Sequence, residues 1–179
     1  MGSNPLPPLV VMGVSGSGKS TLGSLLGERL GLPFIDGDDL HPAANKEKMR
    51  TGNPLCDEDR RPWLEEIGRT LREAQGTGAV PIIACSALKR SYRDLLRLHV
   101  PDLVFIHLTG SREVLLQRMN ARNHEFMPAS LLESQLAALE SPAADERHIR
   151  ADFQLPPEGL LEQICSDLDA LTARAAATR

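Results

Sequence analysis

Eight residues set most of what this chain can be. Gly13-Val14-Ser15-Gly16-Ser17-Gly18-Lys19-Ser20 fits the pattern G-x-x-x-x-G-K-[ST]. An apolar run, Leu9 to Met12, stands directly before it. A leucine stripe, Leu22, Leu25, Leu26 and Leu30, follows at helical spacing. The order is strand, glycine loop, helix. Glycines let the backbone curl so that successive N–H groups face phosphate oxygens. The helix adds the positive end of its dipole. Lys19 can reach β- and γ-phosphates, and the Ser20 hydroxyl can ligate Mg²⁺. Gly13, Val14, Ser15, Gly16, Ser17, Gly18, Lys19, Ser20 and Thr21 are therefore the expected nucleotide-binding residues. The competing reading, a plain glycine turn, needs neither Lys19 nor Ser20.

Beyond the loop the pattern alternates. Phe34-Ile35, Val80 to Cys85, Leu103 to Leu108 and Ile149 to Phe153 read as further strands. A helix is expected over 43–50. Another carries Trp63, Leu64, Ile67, Leu71 and Ala74, with Pro62 in its first turn. Further helical stripes run through Tyr92, Leu95 and Leu96, through Leu115 and Met119 behind a Ser111 cap, through Leu131 to Leu139, and through Leu160 to Leu171. Short apolar strands alternating with amphipathic helices predict an α/β fold, a parallel sheet covered on both faces. With no internal repeat and no linker, residues 1–179 read as one domain.

Charge narrows the partners. The net charge is -4, which argues against bulk binding of nucleic acid or anionic membrane. The charge is unevenly spread: residues 86–122 hold seven bases and three acids, and residues 36–66 nine acids and five bases. No apolar run approaches a bilayer span, and the first residues do not resemble a leader. Three cysteines, Cys56, Cys85 and Cys165, with no Cys-x-x-Cys, point to a reducing cytoplasm.

The loop alone says nucleotide, not reaction. No aspartate ends the third strand, where many such enzymes hold a magnesium-directing one. The candidates are Asp36 and Asp38, after the second strand. Two residues apart, they point to one side if the chain stays extended. One can help organise Mg²⁺ and the other can accept the proton of an attacking hydroxyl. A solvated Asp-Gly turn is the competing reading.

Here the sequence resembles the gluconate kinases, a small P-loop family that phosphorylates D-gluconate with ATP. The resemblance rests on Met12 to Ser20, on Asp36-Gly37-Asp38-Asp39-Leu40-His41-Pro42, and on Asn45, Lys48-Met49, Gly52 and Pro54-Leu55. Asp57, Asp59-Arg60, Pro62-Trp63-Leu64, Cys85 to Lys89, Tyr92-Arg93-Asp94 and the stretch Glu133 to Glu140 continue it. It implies a parallel five-stranded core like that of nucleoside monophosphate and shikimate kinases, an ATP site on the loop, and a mobile lid near 118–130. By analogy Asp38 is the first choice for catalytic base and Asp36 for the magnesium shell, and the two roles can be exchanged. A homodimer is implied by the relatives alone.

Gluconate is a polyol with a carboxylate. Arg60 suits the carboxylate, with an ion pair to Asp57 or Glu58 as the alternative. Lys89 and Arg93 follow the third strand at the same rim. Ser86 and His41 suit sugar hydroxyls, with a structural role at a helix start as the equal alternative for His41. Trp63 reads as core packing ahead of sugar stacking. Arg118 and Arg122 share a helix face and suit the transferring phosphoryl group as the lid closes, with a solvated basic face as the competing reading. Arg118 and Pro156 are the expected adenine contacts. After Arg122 the family has a Gly-His-Phe; this chain has Asn123-His124-Glu125-Phe126, so no role for His124 carries over. The expected reaction makes 6-phospho-D-gluconate and ADP. Rival readings are a kinase of the same build for another acceptor, such as shikimate, and a nucleotide sensor without catalysis.

Overall fold

The computed structural model describes residues 6–121 and 129–177. Five strands, β1 (Leu9–Met12), β2 (Phe34–Asp36), β3 (Ile82–Ala84), β4 (Val104–Thr109) and β5 (His148–Asp152), form one parallel sheet in the order β2-β3-β1-β4-β5. Seven α-helices lie among the described residues: α1 (Lys19–Leu30), α2 (Ala43–Arg50), α3 (Asp57–Gln75), α4 (Arg90–His99), α5 (Arg112–Ala121), α6 (Ala129–Ala138) and α7 (Pro157–Ala177). The expected five-stranded α/β architecture is the one observed. Among the described residues no helix is long and apolar enough to cross a membrane.

The two faces of the sheet follow from strand alternation. Leu9 and Val11 pack with Leu22, Leu26, Leu132, Ile164 and Leu168 on one side. Val10 and Met12 pack with Trp63, Leu64, Ile67, Tyr92 and Leu96 on the other. The four residues of β1 are at most 1% exposed, so both faces are closed by helices.

Two elements differ from expectation. The α3 helix starts at Asp57, so Pro62 lies in its second turn. Proline there cannot donate to the Glu58 carbonyl. The helix tolerates it because an N-terminal capping box fixes its start: the Cys56 N–H bonds the Asp59 carboxylate at 2.8 Å, and Cys56 Sγ faces the same oxygen at 3.0 Å. The chain after β2 also does not stay extended. It turns at once into a 3-10 helix, Gly37–Leu40, capped by Asp36.

That turn is placed by contact. A side chain at Gly37 would meet the Ala84 carbonyl at 2.1 Å, so only glycine lets it ride against β3. The Trp63 indole N–H donates to the Gly37 carbonyl at 2.7 Å. Sheet and α3 thus fix the turn at the carboxyl end of the sheet, where open parallel sheets bind ligands.

Candidate active site

The glycine loop is built as its sequence requires. Gly13, Gly16 and Gly18 have φ of 151°, 79° and 94°, a region that residues with a Cβ rarely adopt. Gly18 caps α1 without any side-chain bond, leaving the first-turn N–H groups available to an anion. The loop is tied internally by Ser17 Oγ and Lys19 Nζ, which donate to the Val14 carbonyl at 2.7 and 3.1 Å. Gly13 N–H reaches the Ser86 carbonyl at 3.3 Å, joining the loop to the end of β3.

Two adjoining spaces open beyond the strands. A cleft of about 710 Å³ is lined by Ser15, Gly16, Gly18, Lys19, Ser20 and Thr21 on the loop side and by Asp36, Asp38, Lys46 and Arg50 opposite. A smaller cavity of about 50 Å³ is lined by Lys19, Asp38, His41, Arg60, Trp63, Ser86 and Gln135, among others. Ser15, Lys19, Asp38 and Met49 line both. The residues expected to handle phosphates and those expected to handle the acceptor therefore meet at Lys19 and Asp38.

The carboxylates face the cleft for a reason other than extended-chain spacing. Asp36 ends β2 and accepts both the Asp38 N–H (3.0 Å) and the Ser20 hydroxyl (2.5 Å). Asp38 is carried one step further on the 3-10 turn. Its side chain is 71% accessible to water and lines both spaces. Loss of surrounding solvent pushes its carboxyl pKa up; Lys19 opposes this, and Asp36 and Asp39 add to it. Burial conversely pulls the Lys19 ammonium down, with Asp38, Cys85 and Asp36 restoring part of its charge.

His41 is 7% exposed and stacks on Trp63, ring centroids 3.9 Å apart and planes 16° from parallel. Its Nδ1 faces the Asn45 amide at 3.3 Å and its Nε2 lies 3.9 Å from Asp38. Burial, then Arg60 and Lys46, push its pKa down to about 4, so near neutral pH it is an uncharged hydrogen-bonding group and makes no ion pair with Asp38. The face of Trp63 is thus covered by a histidine. Trp63 is core and floor at once.

Arg60 donates to the Leu55 carbonyl, lies 3.4 Å from the Tyr92 hydroxyl and has its guanidinium 5.6 Å from that ring's centre. Among the described residues it makes no ion pair, so the alternative with Asp57 or Glu58 does not form. Asp57 is taken by Lys89, at 2.8 Å, and by the Tyr92 hydroxyl. Lys89 therefore lines neither space.

Arg93 requires a correction. It was expected at the acceptor rim but is fully buried under the sheet end. It forms a two-point ion pair with Glu146, at 2.7 and 3.0 Å, and donates to the Ala87 and Leu88 carbonyls. A side chain with no exposed surface cannot touch a substrate. Helical periodicity does not separate a rim arginine from one turned inward.

Arg118 is half-buried beside the loop. It donates to the Ser17 and Phe153 carbonyls at 3.4 and 2.8 Å and stacks over Phe153 at 4.9 Å. Pro156 is exposed just before α7 and lines neither space. Arg122, His124 and most of the lid fall outside the described residues. Cys85 is in the core as expected, its thiol pushed up to about 12 by burial.

Much of the motif block is scaffold. Asn45, 5% exposed, donates to the Asp59 carbonyl at 2.7 Å, and Lys48 pairs with Asp59 at 2.6 Å. Sequence reasoning missed three residues of α6 on the cavity wall: Leu131, Ser134 and Gln135. The Glu133 to Glu140 stretch was a visible signal, although it named no side chain.

Known proteins share this chain's sequence and fold. A family model described as an AAA domain matches residues 9–130. A gluconokinase of Gluconobacter oxydans is 49% identical over 162 residues, 90% of this chain and 91% of that protein. The crystal structure of a gluconokinase from Sinorhizobium meliloti superposes with a TM-score of 0.88 at 43% identity, covering 98% of this chain and 99% of that one. Shikimate kinase from Aquifex aeolicus, at 19% identity and a TM-score of 0.58 over 93% and 98% of the two chains, shares the fold alone.

Proposed function

The chain belongs to the gluconokinase family, and on that premise we propose how its cavity handles the substrates. The reaction is ATP-dependent phosphorylation of D-gluconate to 6-phospho-D-gluconate, with release of ADP. The carrying observation is that Lys19, Asp38 and Arg60 line one cavity.

Arg60 holds the gluconate carboxylate through its planar fork. Ser86 and the neutral His41 bond its hydroxyls. The terminal hydroxyl lies at Asp38, which accepts its proton as the γ-phosphoryl group transfers; a raised carboxyl pKa makes Asp38 a better base than an ordinary aspartate. The loop N–H groups and Lys19 carry the phosphate charge, and Arg118 and Arg122 add to it on the lid side. Catalysis is positioning and charge stabilisation.

Ser20 and Asp36 would hold Mg²⁺. They converge in the cleft and offer the hard oxygen donors it takes. An ion of this kind takes one or two protein oxygens together with the substrate phosphates. Such an ion neutralises developing phosphate charge when bound. A cytoplasmic homodimer of single-domain subunits, each with a lid near 118–130, completes the proposal.

The test is an acceptor panel with ATP and Mg²⁺, read by ADP release. D-gluconate should be turned over far faster than shikimate. Equal rates would overturn the assignment.

A further inference from the structure

We propose that Gln135 is a substrate-contacting specificity residue, reading the gluconate hydroxyl next to the one that is phosphorylated. The proposal deepens the gluconate reading and rests on it.

Three observations carry it. First, Gln135 Oε1 accepts the Ser15 N–H at 2.7 Å, across 120 residues of chain. A backbone N–H can only donate, so the amide oxygen faces the loop. Second, Ser15, Lys19 and Asp38 line both spaces, whereas Gln135 lines only the acceptor cavity. Bonded to Ser15, it stands on the acceptor side of the junction where the phosphoryl group crosses. Third, its helix is anchored: the Glu140 N–H, just past α6, bonds the Leu88 carbonyl at 2.8 Å, and the Glu140 carboxylate accepts the Arg90 N–H at 2.7 Å. Gln135 is thus presented by an element pinned at the β3 rim.

The chemistry selects the ligand atom. With the gluconate carboxylate at Arg60 and the reacting hydroxyl at Asp38, a neutral amide at the junction meets the end of the polyol being phosphorylated. The nearest group able to use it is the C5 hydroxyl, which both donates and accepts. A site built around a hydroxyl rejects the analogue that lacks it or presents it with the wrong configuration.

The experiment crosses a protein variant with a substrate variant. Wild type and Gln135→Ala are assayed on D-gluconate, on the deoxy acid lacking the C5 hydroxyl, and on the C5 epimer. Gln135→Ala should lower kcat/KM for gluconate about tenfold, as for one lost hydrogen bond of good geometry. It should leave the deoxy acid equally used by both proteins and narrow the preference for gluconate over its epimer. Affinity for ATP alone should stay within about threefold. Gln135→Met, of similar shape without polar atoms, should behave alike and guards against a packing artefact. Equal losses on gluconate and the deoxy acid, or ATP affinity falling with gluconate use, would reduce Gln135 to loop support and overturn the proposal. Failure of the wild type to use gluconate would instead remove the functional reading beneath it.

Discussion

The Ser20 hydroxyl donates a 2.5 Å hydrogen bond to Asp36, which lies 16 residues further along the chain and ends β2. The loop's last residue and the acidic turn are thereby one unit. Asp36 also caps the turn that carries Asp38. A single carboxylate links the proposed magnesium position to the proposed base.

Asp36→Asn keeps an oxygen for the Asp38 N–H but removes the charge and turns the group facing Ser20 from an acceptor into a donor. The concentration of Mg²⁺ for half-maximal rate should rise roughly tenfold, the scale of losing a supporting metal contact. Steady-state rates over a magnesium titration measure it. An unchanged titration would place the metal elsewhere.

Asp38→Asn should lose at least about 100-fold in turnover while still binding ATP. It should also raise the melting temperature, though only slightly, because solvent screens most of the effect at a side chain 71% accessible. The native state raises the Asp38 pKa, so it binds that proton more tightly than the unfolded chain does. Stability therefore falls as pH rises through the ordinary carboxylate range, and a neutral side chain escapes that cost. In the wild type, kcat/KM should decline on the acid side as this raised pKa is crossed.

Two buried histidines give a separate acid effect. Burial foremost pushes both His41 and His107 down to about 4, against 6.5 for an ordinary histidine. Between pH 6.5 and 4 the unfolded chain binds protons there that the native state refuses. Stability should therefore fall as pH drops through that window, and His41→Gln should flatten part of the slope in thermal melts.

The Arg93–Glu146 pair predicts stability without direct catalysis. Glu146 is 1% exposed at its side chain and Arg93 0%. Burial pushes the Glu146 carboxyl up, but Arg93, the Ala143 N–H and Arg97 more than reverse it and hold it at about 2. Removing one partner leaves a buried charge, so Glu146→Gln should cost about 3 kcal/mol, measurable by urea unfolding. This contribution is present above the ordinary glutamate pKa near 4.5 and is lost as pH falls toward 2.

Trp63→Phe keeps an aromatic floor for His41 but leaves the Gly37 carbonyl without its donor. The expected cost is about 1 kcal/mol in stability, with a fall in turnover because the turn bearing Asp38 loosens. A loss in stability alone would detach Trp63 from the chemistry.

The sequence by itself determined the sheet class, the glycine loop and the identity of most polar groups in the cavity. Those signals are local. Strand alternation, helix periodicity and a loop needing positive φ at fixed positions are written within a few residues of one another. What it could not determine is which way a side chain turns once helices pack. Arg60 and Arg93 both looked like rim cations; packing left one lining the cavity and buried the other against Glu146. Asp36 and Asp38 were expected to face the same way along an extended chain, whereas a 3-10 turn held by Trp63 and by the close approach of Gly37 to Ala84 delivers them. Gln135 meets Ser15, 120 residues away in sequence, only because α6 is brought back to the loop in the fold. Contacts between residues far apart in sequence depend on how whole elements fill space against each other, and no local pattern encodes that.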